Sequence, residues 1–473
     1  MKLHPLLLII IACGGGDSAN AVGSDGGTAG GGDAGGVAIT VEPQRAYVAP
    51  GGTQSFKCNV AGASDASCTW SVVGGAANGA ITSAGVYTAP STLGISQVIA
   101  ASKAVPAATA SAIVVVQSAA TGKPGVWTNV TPRAVNLDNS AFNNSNFGVQ
   151  DVIVDPVRPT DVYAFICFQG VWKSTDYGTT WTGPINTGAG GALVSAGKPW
   201  TAAIDPSPRD PATPPTLWTA AGDAAVGVLK STDGGVSWTA HLTKNTTAAA
   251  ASGDNYYAND AYALDVDPND GKHLVTGFHQ YPGISESFDG GVTWTTIGVP
   301  SNIGNSLYPF FIDSGAAATT RKNWLAVSQD GDNTGTWHTK DGGASWTQVG
   351  TFSHGHGDSQ MWNVGSGVAY VGATGGVFKT IDGGQSFKNV STVDANGVIA
   401  TPTKLYATYG WADTAAVDPH LEQAARASDT TWSAVATPQG MTNGSKRLSL
   451  TFDGAHYILV GGFWNAGIWR YIE

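Results

Sequence analysis

The stretch Ser174-Thr-Asp176-Tyr-Gly178-Thr-Thr-Trp181 decides the fold, because it returns in register at Ser231 to Trp238, Ser287 to Trp294, Thr339 to Trp346 and Thr380 to Phe387. Each copy carries a hydroxyl, an Asp two residues on, a Gly two beyond that and an aromatic three further. A short carboxylate can accept hydrogen bonds from the N–H groups of the turn that follows it, and Gly supplies the positive φ that closes such a turn. Apolar runs such as Val171-Trp-Lys, Val228-Leu-Lys and Val377-Phe-Lys lead into the turns, so each turn is expected to join two antiparallel strands. A unit this small cannot bury its own apolar face, and recurrence at roughly fifty residues implies a stacked or circular array of sheets.

A second kind of turn, Val154-Asp-Pro156, Ile204-Asp-Pro206 and Val266-Asp-Pro268, with looser forms at Ile312-Asp313 and Asn363, precedes the repeated turns. Each pair of turns brackets one four-stranded sheet. Five sheets follow directly; a sixth is expected from Val398 to Val435, where Ser428-Asp-Thr-Thr-Trp432 is a shortened copy, and a seventh from Leu448 to Ile472. Gly125-Val-Trp-Thr-Asn-Val130 reads as an outer strand with no sheet of its own. It can complete the last sheet and close the ring, which protects open strand edges.

The repeated turns resemble the Asp-box, or BNR repeat, of sialidase-like and xyloglucanase-like β-propellers. The resemblance implies an all-β fold, a seven-bladed β-propeller over residues 119–473, in which the Asp-box residues are structural and the ligand meets the opposite face. The motif specifies architecture rather than activity, since one fold hosts many functions. The sialidases hold a carboxylate with an arginine triad that the scattered arginines here do not reproduce. The xyloglucanases pair two propellers around a cleft, and this chain has residues for one.

Ahead of the repeats, Met1 to Ala12 contains a short apolar stretch, Leu6 to Ala12, too brief to span a bilayer and similar to a secretory signal. Ile10-Ile-Ala-Cys13 resembles a bacterial lipobox, which implies lipidation of Cys13 and an exported protein of the outer membrane or cell surface, touching the membrane only through that anchor. Residues 13–36 read as a flexible Gly-rich linker.

From residue 37 to 118 the texture changes to alternating apolar and polar residues: Ala38 to Val41, Ser55 to Val60, Cys68 to Val72, Gln97 to Ala101 and Ala112 to Val116. This strand-turn-strand series predicts an N-terminal Ig-like β-sandwich. It resembles the bacterial Ig-like (Big) family through Trp70-Ser-Val and Gly79 to Pro90. Cys58 and Cys68 fall in neighbouring strands of an exported module and are expected to form a disulfide.

Composition narrows the partners. With 64 Gly, 16 Trp and 12% charged residues, the 473-residue chain is poor in charged helical periodicity, and its net charge of −11 argues against nucleic acid or a polyanion as the general partner. Neutral glycans and proteins remain.

The segments expected on the face opposite the repeated turns differ from one another, as binding loops on a repeated scaffold should. They are Asn136 to Phe147, Ser252 to Tyr262, Phe278 to Pro282, Gln329 to Asn333, Ser353 to Asp358, Tyr409 to Asp413 and Phe463 to Asn465. A glycosidase needs two carboxyl groups about the scissile bond, and Asp260 with Asp358 is the expected pair. Tyr256, Tyr257, Tyr409, Trp411 and Trp464 are candidates to meet sugar faces, and Asn255, Asp330 and Asn333 to bond hydroxyls. A polysaccharide lyase would use His or Tyr instead, which points to His279, Tyr281, His354 and His356. His279, His354 and His356 could hold a divalent metal, although H-x-H in a Gly-rich loop is a weak signal. No cofactor is otherwise implied. The expected partner is an extracellular poly- or oligosaccharide, cleaved or only bound; a non-catalytic adhesion propeller contacting glycan or protein is the other reading.

Overall fold

The computed structural model describes residues 36–222, 227–241, 260–314, 317–330, 334–353, 360–410 and 419–473. The chain divides into a small and a large unit.

The small unit is built of short strands. Arg45–Val48 runs parallel to Thr109–Val116, which pairs in turn with Gly94–Ser102 and then Cys68–Val72; Ala38–Glu42 pairs with Lys57–Ala61, and Thr53–Ser55 with Val86–Thr88 and Ala80–Ile81. Burial alternates along Gly94–Ser102, so one face carries Val98 and Ala100 into a core with Tyr87 and Val114. The strand expected from Ser55 to Val60 breaks at Phe56, whose N–H donates to Gly85 O at 2.8 Å while its ring enters the core. A disulfide joins Cys58 to Cys68.

The large unit is a β-propeller. Among the described residues its strands form seven antiparallel sheets that follow one another along the chain. The innermost strands are Val149–Val154, Lys198–Ile204, Ala261–Asp267, Asn305–Phe311, Met361–Gly365, Gly397–Ala400 and Leu448–Phe452. Neighbouring inner strands lie side by side through the first four sheets and again from fifth to sixth. Asn363 bridges the fourth and fifth, its Nδ2 donating to Phe311 O (2.8 Å) and its Oδ1 accepting the Asp313 N–H (3.0 Å). The ring closes where Thr128–Asn129 pairs antiparallel with Ile468–Ile472 and the first inner strand meets Tyr457–Gly462.

Burial explains why the strands read as continuous apolar runs. Val162–Ile166, the second strand of the first sheet, is buried at every position, because a neighbouring sheet covers each of its faces. Trp127, just before the strand that arrives from the N-terminal side, packs on Phe463 and Tyr471 at the closure.

The five repeated turns share one hydrogen-bond pattern. In the third sheet, Ser287 Oγ donates to Asp289 Oδ1 (2.9 Å), the Gly291 N–H donates back to Ser287 Oγ (2.9 Å), and Asp289 accepts the N–H groups of Val292 and Thr293 at 3.0 and 2.8 Å. The closing glycines have φ of 77° at Gly178, 95° at Gly235, 81° at Gly291, 86° at Gly343 and 90° at Gly384. The first sheet departs from the expected four strands. Its outer edge is reduced to a single Lys173–Thr182 bridge, because Pro184 has no N–H to continue the ladder before Ile185 donates to Val171 O.

Candidate functional site

Strand alternation fixes which ends of the sheets share a face. In an antiparallel meander, the first-to-second and third-to-fourth turns lie at one end; the second-to-third and sheet-to-sheet connections lie at the other. The repeated turns are third-to-fourth turns. His279 and Tyr281 follow the second strand of the third sheet and Trp464 follows that of the seventh. Phe147, Asp260 and Lys446 immediately precede inner strands, and Lys198 opens one. All therefore stand at the end away from the repeated turns.

At that end an arc of aromatic rings passes from sheet to sheet. Trp464 and Phe147 have centroids 6.3 Å apart, Phe147 and Trp200 5.8 Å, Trp200 and Tyr262 5.2 Å, and Tyr262 and Tyr308 5.1 Å. Edge-on contacts predominate, the arrangement that suits the ring quadrupoles. These rings come from the seventh, first, second, third and fourth sheets, so the arc is a product of ring closure and of no single segment.

Asp260 is tied into the arc. Its Oδ1 accepts from Trp200 Nε1 at 3.3 Å, its Oδ2 lies 2.9 Å from His279 Nδ1, and its backbone carbonyl accepts the His279 N–H at 3.1 Å. The His279 ring lies 4.6 Å from that of Tyr262. A carboxylate on Nδ1 holds the imidazole in one orientation and directs proton transfer to Nε2.

Two lysines reach the Trp200 ring beside this pair, and an arginine stands on the same inner wall. Lys198 Nζ is 4.0 Å from the Phe147 centroid and 5.3 Å from that of Trp200; Lys446 Nζ is 5.6 Å from Trp464 and 5.9 Å from Trp200, and donates to the Trp200 carbonyl. Arg447 Nη1 reaches Asp151 Oδ2 at 2.9 Å and Ala202 O at 3.1 Å. Lys446 and Arg447 thus run from the seventh sheet to the second. On the same inner wall, burial pushes the Asp265 carboxyl up to about 6, against the opposing pull of the Phe311 N–H and Arg447.

Of the residues named from sequence, the structure brings Asp260, His279 and Trp464 into this cluster. Asp260 is only 5% exposed, with Oδ1 engaged by Trp200 and Oδ2 by His279. Tyr281 packs on Phe278, centroids 6.3 Å apart. Tyr409 stacks on His420 in the sixth sheet at 5.1 Å, where burial and then Asp394 raise its pKa. Asp330 ends the second strand of the fourth sheet. Cys13, Asn255, Tyr256, Tyr257, Asn333, His354, His356, Asp358 and Trp411 lie outside the described residues. Among the described residues, no group of three or more His, Cys, Asp or Glu side chains could hold a metal ion.

Lys198, Trp200, Tyr262 and Tyr308 were not singled out from the sequence. The available signal was positional: each occupies the first few residues of an inner strand, the same level at which Asp260 was found. At the other end, a groove of about 270 Å³ between the fourth and fifth sheets is lined by Asn323, Lys340, Ser366, Ile381 and Gln385 among others.

No family model matches the chain, and no curated protein matches it. Among solved structures, an ancestral GH74 enzyme is similar at 16% identity and a TM-score of 0.34, over 71% of this chain and 36% of that one. The chain therefore spans about a third of that enzyme. YCF48 from Cyanidioschyzon merolae is similar at 12% identity and a TM-score of 0.44, over 73% of this chain and 98% of that one. YCF48 bound to D1 peptide is similar at 14% identity and a TM-score of 0.29, over 62% and 99%.

Proposed function

We propose that the chain is an exported, lipid-anchored glycan-binding protein: a seven-bladed Asp-box propeller carried on a bacterial Ig-like module and a Gly-rich tether. The observation that carries the reading is the convergence of Trp464, Phe147, Trp200, Asp260, His279, Lys198 and Lys446 from four sheets at the end away from the repeated turns. Aromatic faces beside fixed donors and acceptors are what saccharide recognition requires, since a sugar offers both an apolar C–H face and hydroxyls.

If the protein also cleaves its ligand, His279 is the better candidate for moving the proton. This favours His-dependent elimination over hydrolysis by a carboxylate pair containing Asp260, because both Asp260 oxygens are already accepting hydrogen bonds.

A glycan screen that scores binding and reducing-end release separately tests the proposal, with Asp260→Ala and His279→Ala as controls. Binding without release is expected if the propeller is an adhesin; release that survives Asp260→Ala in part and is lost in His279→Ala supports the elimination reading. Failure of the folded protein to bind any glycan sinks the function proposed.

A further inference from the structure

The loop that delivers the chain to the first inner strand is held in an unfavourable conformation. Phe142, Asn143 and Asn144 have φ of 54°, 59° and 60°, one turn of left-handed backbone. Asn tolerates that region, but a bulky aromatic enters it only where its surroundings over-determine the backbone. They do so here. Gln169 brackets the start of the loop, its Oε1 accepting the Asn136 N–H at 2.7 Å and its Nε2 donating to Asn136 O at 2.8 Å. Asn146 Nδ2 donates to Asn136 O and Asp138 O, both at 2.9 Å, and Asn465 Nδ2 donates to Asn146 O and Leu137 O at 2.9 and 3.0 Å. The first and seventh sheets thus fix the turn, and none of these bonds uses the side chains that it displays.

Those side chains face solvent. Phe142 is 40% exposed; one face of its ring stacks on Phe168 with centroids 5.1 Å apart, and among the described residues no other ring meets it. Asn143 and Asn144 are exposed too, and among the described residues no hydrogen bond engages their amides. Phe168, itself at a φ of 56°, follows the second strand of the first sheet. Its N–H donates to Gly197 O at 3.0 Å, next to the Lys198 that lies over Phe147 and Trp200. The stacked pair therefore continues the arc outward onto the rim.

An open aromatic face beside two amides, each with donor and acceptor, matches a pyranose ring whose hydroxyls are equatorial: C–H groups cover its flat faces and hydroxyls surround its edge. Local charge selects a neutral sugar. From Asn136 to Phe147 the ionisable side chain is Asp138, whose carboxyl the N–H and then the hydroxyl of Ser140 hold below its usual value. That carboxylate repels an acidic sugar.

We propose that Phe142, backed by Phe168, is an outer subsite that stacks a neutral pyranose unit while Asn143 and Asn144 bond its hydroxyls, so that one oligosaccharide runs from the arc to the rim. The subsite rests on the glycan reading above and adds to it a requirement for ligand length.

The test is titration of the full chain with cello- and xylo-oligosaccharides from dimer to hexamer. Affinity is expected to step up about tenfold at the length that first reaches Phe142, an increment within the range of one aromatic contact. Phe142→Ala is expected to erase the step and Phe142→Trp to keep it. Thermal melting shows whether Phe142→Ala is folded; should it not fold, Phe142→Leu, apolar but without a π face, carries the same expectation. Affinity that rises with no step in the native protein, or a step retained in the folded variant whatever its overall loss, overturns the subsite while the carbohydrate reading stands. Binding of neither ladder also overturns it and leaves the carbohydrate reading to the wider glycan screen. Failure of that screen as well brings down both.

Discussion

His273 Nε2 lies 2.8 Å from Glu286 Oε1 with the imidazole fully buried. Its Nδ1 faces Asp267 Oδ2 at 3.1 Å, Phe288 stacks on the ring at 4.6 Å, and Phe311 and Trp324 close the remaining sides. With a carboxylate on each nitrogen, only the imidazolium can donate to both. Burial alone would depress the His273 pKa, but the hydrogen bonds to Asp267 and then Glu286 outweigh it and hold the group above its usual value of 6.5. The folded state therefore binds the proton more tightly than the unfolded chain. The stability this contributes is complete below 6.5 and is lost as pH rises through the folded value. Thermal unfolding followed from about pH 6 to pH 9 is expected to show a decline that His273→Gln flattens. An unchanged alkaline slope in the variant would show that some other group is responsible.

The repeated turns predict the acid limb. In Asp289, burial would raise the pKa, but the hydroxyl and N–H of Thr293, with Ser287 and the Val292 N–H, bring it down to about 2. In Asp341 the hydroxyl and N–H of Ser345 and the Thr339 hydroxyl do the same, again to about 2. Asp176, Asp233 and Asp382 are shifted the same way. Depressed carboxylates stabilise the fold above their unfolded value of 3.8, and this is lost as pH falls toward 2. Because Asp289 and Asp341 are largely solvent-exposed, each is expected to act weakly and the set to act together. Asp289→Asn is expected to lower stability at neutral pH and to make unfolding between about pH 4 and pH 2 shallower. A native protein whose stability does not change across that interval would remove the turns as the source.

The turns were legible because their chemistry is local: a hydroxyl, a carboxylate and a glycine within five residues close the same hydrogen bonds wherever they occur. The closing strand was legible for the complementary reason, since Thr128 and Asn129 had no sheet of their own to join. The mouth was less so. Trp200, Tyr262 and Tyr308 lie in strands buried on both faces, where a run of apolar residues carries no period to show which ring turns toward the axis. Lys198 looks from sequence like the polar end of a strand; only the packing of the second inner strand beside the first brings it against Phe147, 51 residues before it in the chain. Tyr281 and Tyr409 show the converse. Their segments were placed at the right end, but position in a loop does not fix side-chain direction, and both rings pack on neighbours within their own sheets.

Ring closure makes the last prediction. Trp127 is 7% exposed, with its ring 5.6 Å from Phe463 and 5.3 Å from Tyr471. It precedes the two residues, Thr128 and Asn129, that pair with Trp469 and Arg470. Truncating a buried Trp costs about 3–5 kcal/mol, through lost apolar burial and the cavity left behind. Here the loss falls on packing that supports a two-residue strand, so the Ile468–Ile472 edge is expected to lose its partner along with the indole. An unpaired edge rich in apolar residues templates association between chains. Trp127→Ala is therefore expected to lower the melting temperature and to produce oligomers on size exclusion at concentrations where the native chain gives one peak. Trp127→Phe, which keeps a ring on Phe463, is expected to recover most of both effects. If Trp127→Ala melts and elutes like the native protein, the N-terminal strand is a passive passenger and the ring is held shut by contacts between the first and seventh sheets alone.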